Sequence, residues 1–130
     1  MLCVMFLLAM NIPAFGATKK TESVMRPQYT YINNISSTIS AANGQAKIYV
    51  SLTGPSSVTK IAITTELQQM KSSGWSAIES WTQTTNGTSA VLSKTGTVSK
   101  GYYYRTVSYF TVYAGTGSET ASKTSNQVLY

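Results

Sequence analysis

At 130 residues the chain has room for one domain with a single core and not for two. Only 11% of its residues are charged, against roughly 25% in an average soluble domain, so Ser, Thr and Asn supply a hydroxyl-rich surface in place of an ionic one. With no histidine or aspartate, one cysteine (Cys3) and four glutamates (Glu22, Glu66, Glu79 and Glu119), the composition argues against zinc centres, His-based nucleophiles and carboxylate-pair hydrolysis, and no cofactor, metal or catalytic residue is expected.

The run from Met1 to Met10 is almost wholly apolar, and Asn11-Ile12-Pro13 breaks it before Ala14-Phe15-Gly16-Ala17. This reads as the core of a signal peptide over residues 1–16, with Ala14 and Gly16 at the small-residue positions before the cut, although no Lys or Arg precedes the apolar run. It is too short for a membrane anchor, which takes about 20 residues. Removing it leaves a cysteine-free exported chain with no transmembrane segment and no disulfide. Residues 17–27 are polar and aperiodic, a flexible lead-in to a β domain over 28–130.

Tyr29, Tyr31, Ile35 and Ile39 mark a first strand whose alternation slips phase near Asn33-Asn34, which suggests a bulge. Asn43-Gly44 is a strong hairpin signal, and Gln45–Thr53 then alternates cleanly with Ala46, Ile48, Val50 and Leu52 on one face. After the turn at Gly54-Pro55, a third strand runs from Val58 to Met70 with Ile61, Ile63, Thr65 and Leu67 inward. Thr65–Lys71 is also helix-prone, with Ile63, Leu67 and Met70 at helical spacing, but the β-branched run leading into it favours strand.

Ser72-Ser73-Gly74 forms a hairpin tip, and the fourth strand follows from Trp75 to Gln83. Its large residues Trp75, Ile78 and Trp81 recur every third position, which a flat strand cannot accommodate without a bulge. Thr84–Gly87 turns, and Thr88–Val98 is a fifth strand. Gly101–Gly115, rich in Tyr, Val and Thr, is the central strand, and Ser118–Leu129 is a polar last one.

Seven segments with turn signals between them suggest an all-β, immunoglobulin-like sandwich. Gly101-Tyr-Tyr-Tyr-Arg-Thr-Val, followed by Tyr113-Ala-Gly, resembles the penultimate strand of fibronectin type III-like modules, in which a Tyr packs inward and the next residue is often Arg. Together with the leader, the Ser73-Gly74-Trp75 hairpin and the polar C-terminus, the chain from about Gln28 to Leu129 resembles small exported proteins of Gram-positive bacteria. That resemblance implies a β-sandwich of about seven antiparallel strands and implies no activity.

In that register Tyr102, Tyr104, Thr106, Ser108, Phe110 and Val112 face the core, and Tyr103, Arg105, Val107, Tyr109, Thr111 and Tyr113 face outward. Arg105 favours this choice, because an unpaired buried charge is costly. The candidate binding residues are therefore Tyr103, Arg105, Tyr109 and Tyr113, with Trp75 and Trp81 from the neighbouring hairpin, although Tyr is a good strand residue in any case and the tryptophans have a second reading as core. Arg105 is expected to pair across strands with Glu66 or Glu79, and those two carboxylates have a lesser reading as a facing catalytic pair.

Net charge is +6 but scattered, which fits solubility and edge protection better than a polyanion site, and nothing resembles a nucleic-acid motif. The expectation is a secreted, monomeric, non-catalytic module that binds at or near the cell envelope through its aromatic outer face with help from its positive charge, with a cell-wall polymer, a glycan or another exported protein as partner. The alternative is a self-associating matrix protein that pairs through its Ser118–Leu129 edge.

Overall fold

The computed structural model describes residues 29–130, so the leader and the lead-in to Pro27 lie outside the described residues. Eight antiparallel strands and no helix make up the described chain: β1 (Asn34–Ala42), β2 (Gln45–Thr53), β3 (Lys60–Lys71), β4 (Gly74–Asn86), β5 (Ser89–Thr97), β6 (Tyr103–Ala114), β7 (Gly117–Thr124) and β8 (Val128–Leu129). They form two sheets, β1-β2-β5 and β4-β3-β6-β7, with β8 pairing the start of β6 beyond the end of β7. The fold is a β-sandwich.

Period-two patterning explains which faces meet. Ala46, Ile48, Val50 and Leu52 of β2 pack against Ile61, Ile63 and Leu67 of β3 and against Tyr104, Phe110 and Val112 of β6, all fully buried or nearly so. The core also holds hydroxyls, which are satisfied in pairs: Thr65 Oγ1 with Ser108 Oγ at 2.8 Å within one sheet, and Ser37 Oγ with Thr106 Oγ1 at 3.1 Å between β1 and β6. Asn43 and Gly44, with φ of 55° and 76°, turn β1 into β2 as the Asn-Gly signal predicts.

The helix-prone stretch Thr65–Lys71 is strand, because both edges of β3 are occupied, by β4 and by β6. The expected bulge in the fourth strand is present. Leu67 pairs with Glu79 and Gln68 with Ala77, so Ile78 is the extra residue.

Four expectations change. Tyr29 and Tyr31 precede β1, and the phase slip at Asn33-Asn34 is where the strand starts. β4 continues to Asn86, so the turn into β5 falls at Gly87 and Thr88. Tyr102 was expected to face the core, but it precedes β6, is 41% exposed and meets Tyr104 edge-on at 6.4 Å, since the chain joins the ladder only after Gly101, whose φ is 95°. The last strand is two pieces. Ser125 keeps its N–H on Thr106 O at 2.9 Å while its Oγ accepts from Thr106 N at 2.8 Å, and Asn126 turns toward β1, accepting from Ile39 N (3.1 Å) and donating to Ile39 O (3.0 Å).

Candidate functional site

The outer face of the β4-β3-β6-β7 sheet is built on β6. Its inward residues Tyr104, Thr106, Ser108, Phe110 and Val112 are all 0–1% exposed, so the alternate residues must point to solvent. Tyr103 is 48% and Tyr109 47% exposed, while Arg105 and Tyr113 are half-buried by their neighbours. The register sets those neighbours: Arg105 lies opposite Gln68, Tyr109 opposite Thr64 and Ser122, and Tyr113 opposite Lys60 and Ser118.

The stripe divides into two clusters. At one end the Arg105 guanidinium lies 4.3 Å from the ring centre of Trp75, and its Nε donates to Gln68 Oε1 at 2.8 Å. Gln68 Nε2 in turn donates to Glu66 Oε1 at 3.0 Å. Tyr103 lies two residues before Arg105 on the same face. Toward the other end Lys60 Nζ sits 4.5 Å over the Tyr113 ring, and Tyr109 stands among hydroxyls, with Thr64 and Thr82 bonded to each other at 3.1 Å. Arg105 and Tyr109 are four residues apart, about 13 Å along the strand, so one small ligand does not touch both clusters.

Trp81 does not extend this surface. It lies opposite Thr65, a core residue, and packs half-buried against the core beside Gly96 of β5. The bulge at Ile78 is the cause: it inverts the phase of β4, so Trp75 and Trp81, an even six residues apart, fall on opposite faces. The same inversion separates the carboxylates. Glu66 points outward opposite Ser80, whereas Glu79 points inward opposite Leu67 with Oε1 beside Gly96, so they do not form a facing pair. Arg105 reaches Gln68 and Trp75 in place of either glutamate, because β3 places an amide, not an acid, directly opposite it.

The sequence reading missed the seam between β1 and β7. Glu119 accepts from Thr30 N and Tyr31 N, both at 2.8 Å, and the Tyr31 ring packs on Gly117, which pins residues 29–33 across the open side of the sandwich. Beside it lies a cleft of about 620 Å³ lined by Tyr29, Ile32, Asn33, Asn34, Ile35, Ser122 and Lys123. A shallower hollow of about 650 Å³ adjoins Tyr29, Tyr109, Thr111 and Thr120. These walls are almost 90 residues apart in the chain, as the separation of 89 between Thr30 and Glu119 shows, and no local pattern announces them. Among the described residues no three His, Cys, Asp or Glu side chains are grouped as metal ligands would be, and no helix is long and apolar enough to cross a membrane.

The fold and this face define an all-β sandwich of antiparallel strands with one sheet's outer surface rich in Tyr, Thr and Ser. No family model matches the chain. No curated protein matches it either. Among solved structures it is similar to the solution structure of R. palustris CsgH, at 14% identity and a TM-score of 0.33, over 68% of this chain and 87% of that one.

Proposed function

We propose that this protein is an exported, monomeric, non-catalytic binding module of the immunoglobulin/fibronectin type III-like class, acting at or near the cell envelope of a Gram-positive bacterium through the outer face of the β4-β3-β6-β7 sheet. The observation that carries the reading is the exposure of Tyr103 and Tyr109, 48% and 47%, on a face where Trp75 and Tyr113 also lie, while the strand's other face is sealed. Flat rings set among Thr and Ser hydroxyls suit sugar faces and extended polymers, and exposed aromatic patches mark binding surfaces.

Two features support the class. The chain crosses between sheets after β2, β4 and β5. Tyr104, near the start of β6, donates its hydroxyl to Ser99 O and accepts from Ser99 N, both at 2.9 Å, five residues upstream at the β5–β6 corner, as in a tyrosine corner. Two residues on, where antibody domains carry their second disulfide cysteine, stands Thr106, hydrogen-bonded across the sheets to Ser37.

The test is co-sedimentation of the purified protein with bacterial cell walls. Retention that falls when Tyr109→Ala and Tyr113→Ala are combined, with the fold intact, supports the reading; unchanged retention removes it. A second reading, self-association, is favoured at β4 in place of the C-terminal edge. Among the described residues both β4 and β7 are edges that no further strand pairs, but β7 carries Lys123 and its Glu119 is engaged by Thr30 and Tyr31. Glu79 is the sole charged residue in β4, so the edge lacks the lysines that usually blunt one.

A further inference from the structure

Most of the outer face is hydroxyls and separate rings, but around Arg105 four side chains from three strands hold one another. Arg105 starts on β6, crosses over β3 and ends on Trp75 of β4. The small side chain of Ala77, opposite Gln68 in β4, leaves room on the sheet for this crossing. Gln68 fixes Nε at 2.8 Å and is itself oriented by Glu66 at 3.0 Å. Ordering a long cationic side chain in this way costs rotamer entropy, and at a solvent-facing position the core does not need it.

The relay also leaves the charge unspent. The partner of the guanidinium is an amide and not a carboxylate, and Glu66, engaged by Gln68, lies opposite Val107 and not opposite Arg105. Among the described residues the bond to Gln68 is the hydrogen bond that the Arg105 side chain makes, and it uses Nε. The two Nη groups therefore keep their parallel donors, the fork that matches a carboxylate or phosphate in a bidentate pair. Trp75 covers one face of the guanidinium and holds its plane. Tyr103, two residues away and about 7 Å along the strand, offers a 48% exposed ring for whatever carries the anion.

We infer that Arg105, tied to Gln68 and stacked on Trp75, is a receptor for a single oxyanion, a carboxylate or a phosphate, borne on the polymer that the outer face binds. This deepens the outer-face reading and rests on it. Glu66 nearby opposes tight anion binding, so the contact is weak and salt-sensitive, and it sets which polymer is preferred more than how tightly it is held.

The experiment is an NMR titration of the purified protein, following the Arg105 guanidinium and the Trp75 indole N–H, with trigalacturonate, inorganic triphosphate and neutral maltotriose as probes. Saturable shifts with either anion and none with maltotriose support the receptor, and the anion that acts identifies the source as carboxylate or phosphate. Arg105→Lys, which keeps the charge and loses the fork, is expected to weaken the responding anion by about tenfold. Gln68→Ala, with Arg105 retained, is expected to weaken it a few-fold by releasing Nε. Equal shifts with maltotriose, equal affinity in Arg105→Lys, or anion shifts confined to other residues overturn the inference. Cell-wall retention separates it from the reading beneath it: retention lost in the Tyr109/Tyr113 variant but unchanged, together with anion affinity, in Arg105→Gln leaves the aromatic surface standing and removes the receptor.

Discussion

Tyr104 shows how one side chain serves two structural demands. Its ring is fully buried among core residues, while its hydroxyl ties both polar groups of Ser99 and accepts from Gln69 Nε2 at 2.9 Å. Tyr104→Phe keeps the packing and orphans the Ser99 backbone, so it is expected to cost about 1–3 kcal/mol in urea unfolding. The buried Thr65–Ser108 pair behaves differently, because either hydroxyl alone is an unsatisfied group. Thr65→Val and Ser108→Ala are each expected to destabilise by about 1–3 kcal/mol, and the double variant by less than the sum of the two, which a double-mutant cycle reads directly. Gly96 is held small by its surroundings and not by its dihedral angles: a Cβ there meets Leu67 Cδ2 at 2.7 Å and Glu79 Oε1 at 3.1 Å. Gly96→Ala must therefore push Leu67 or part the two sheets, and a loss of about 1–3 kcal/mol is expected in the same assay.

At the scale of elements, legibility followed locality. The inward sets of β2 and β3 were readable because alternation along a half-buried strand is a local pattern, and the bulge was readable from the misfit of Trp75, Ile78 and Trp81. Which side of the bulge each tryptophan takes was not readable, since that depends on the register with β3. Because Ile78 is the extra residue, deleting it leaves both halves of β4 in their present register, with Trp81 opposite Thr65 and Trp75 opposite Met70 on the face of Arg105. In a Trp81→Phe background the fluorescence of Trp75 is therefore expected to be unchanged by that deletion, since the Arg105 cation stays over its ring; a shift would show that the register moves. The seam sutures were equally hidden. Asn126 gives the β1 edge the donor and acceptor a missing strand would supply, so Asn126→Ala is expected to speed amide hydrogen exchange at Ile39 with little effect on the amides of β3.

For the whole molecule, long-range antiparallel pairing dominates, and folding is expected in the millisecond to second range typical of β-sandwiches. Oligomeric state tests the open edge of β4. Light scattering is expected to give a monomer; a concentration-dependent dimer that Thr82→Lys dissolves would move the weight to self-association through β4. The division of the outer face into an Arg105 cluster and a Tyr109–Tyr113 cluster has a consequence for binding. An extended polymer can engage both, whereas a monosaccharide reaches one, so affinity is expected to rise with oligomer length until the two clusters are spanned.

The amino-acid sequence by itself determined the all-β class, the inward face of each main strand, the Asn43-Gly44 hairpin and the outward set of β6, because turn chemistry and period-two hydrophobicity act over a few residues at a time. It also carried Tyr103, Arg105, Tyr109 and Tyr113 to the candidate surface, since an unpaired charge near the start of β6 dictates which way that strand faces. Only the tertiary structure decided that Trp81 and Glu79 belong to the inner face, that Arg105 meets Gln68 and Trp75 in place of a glutamate, and that Glu119 and Asn126 close the β1–β7 seam. Each of those outcomes depends on register or on partners far apart along the chain. Side-chain direction inverts with a one-residue slip, and that quantity is set by the assembled sandwich, not by any stretch within it.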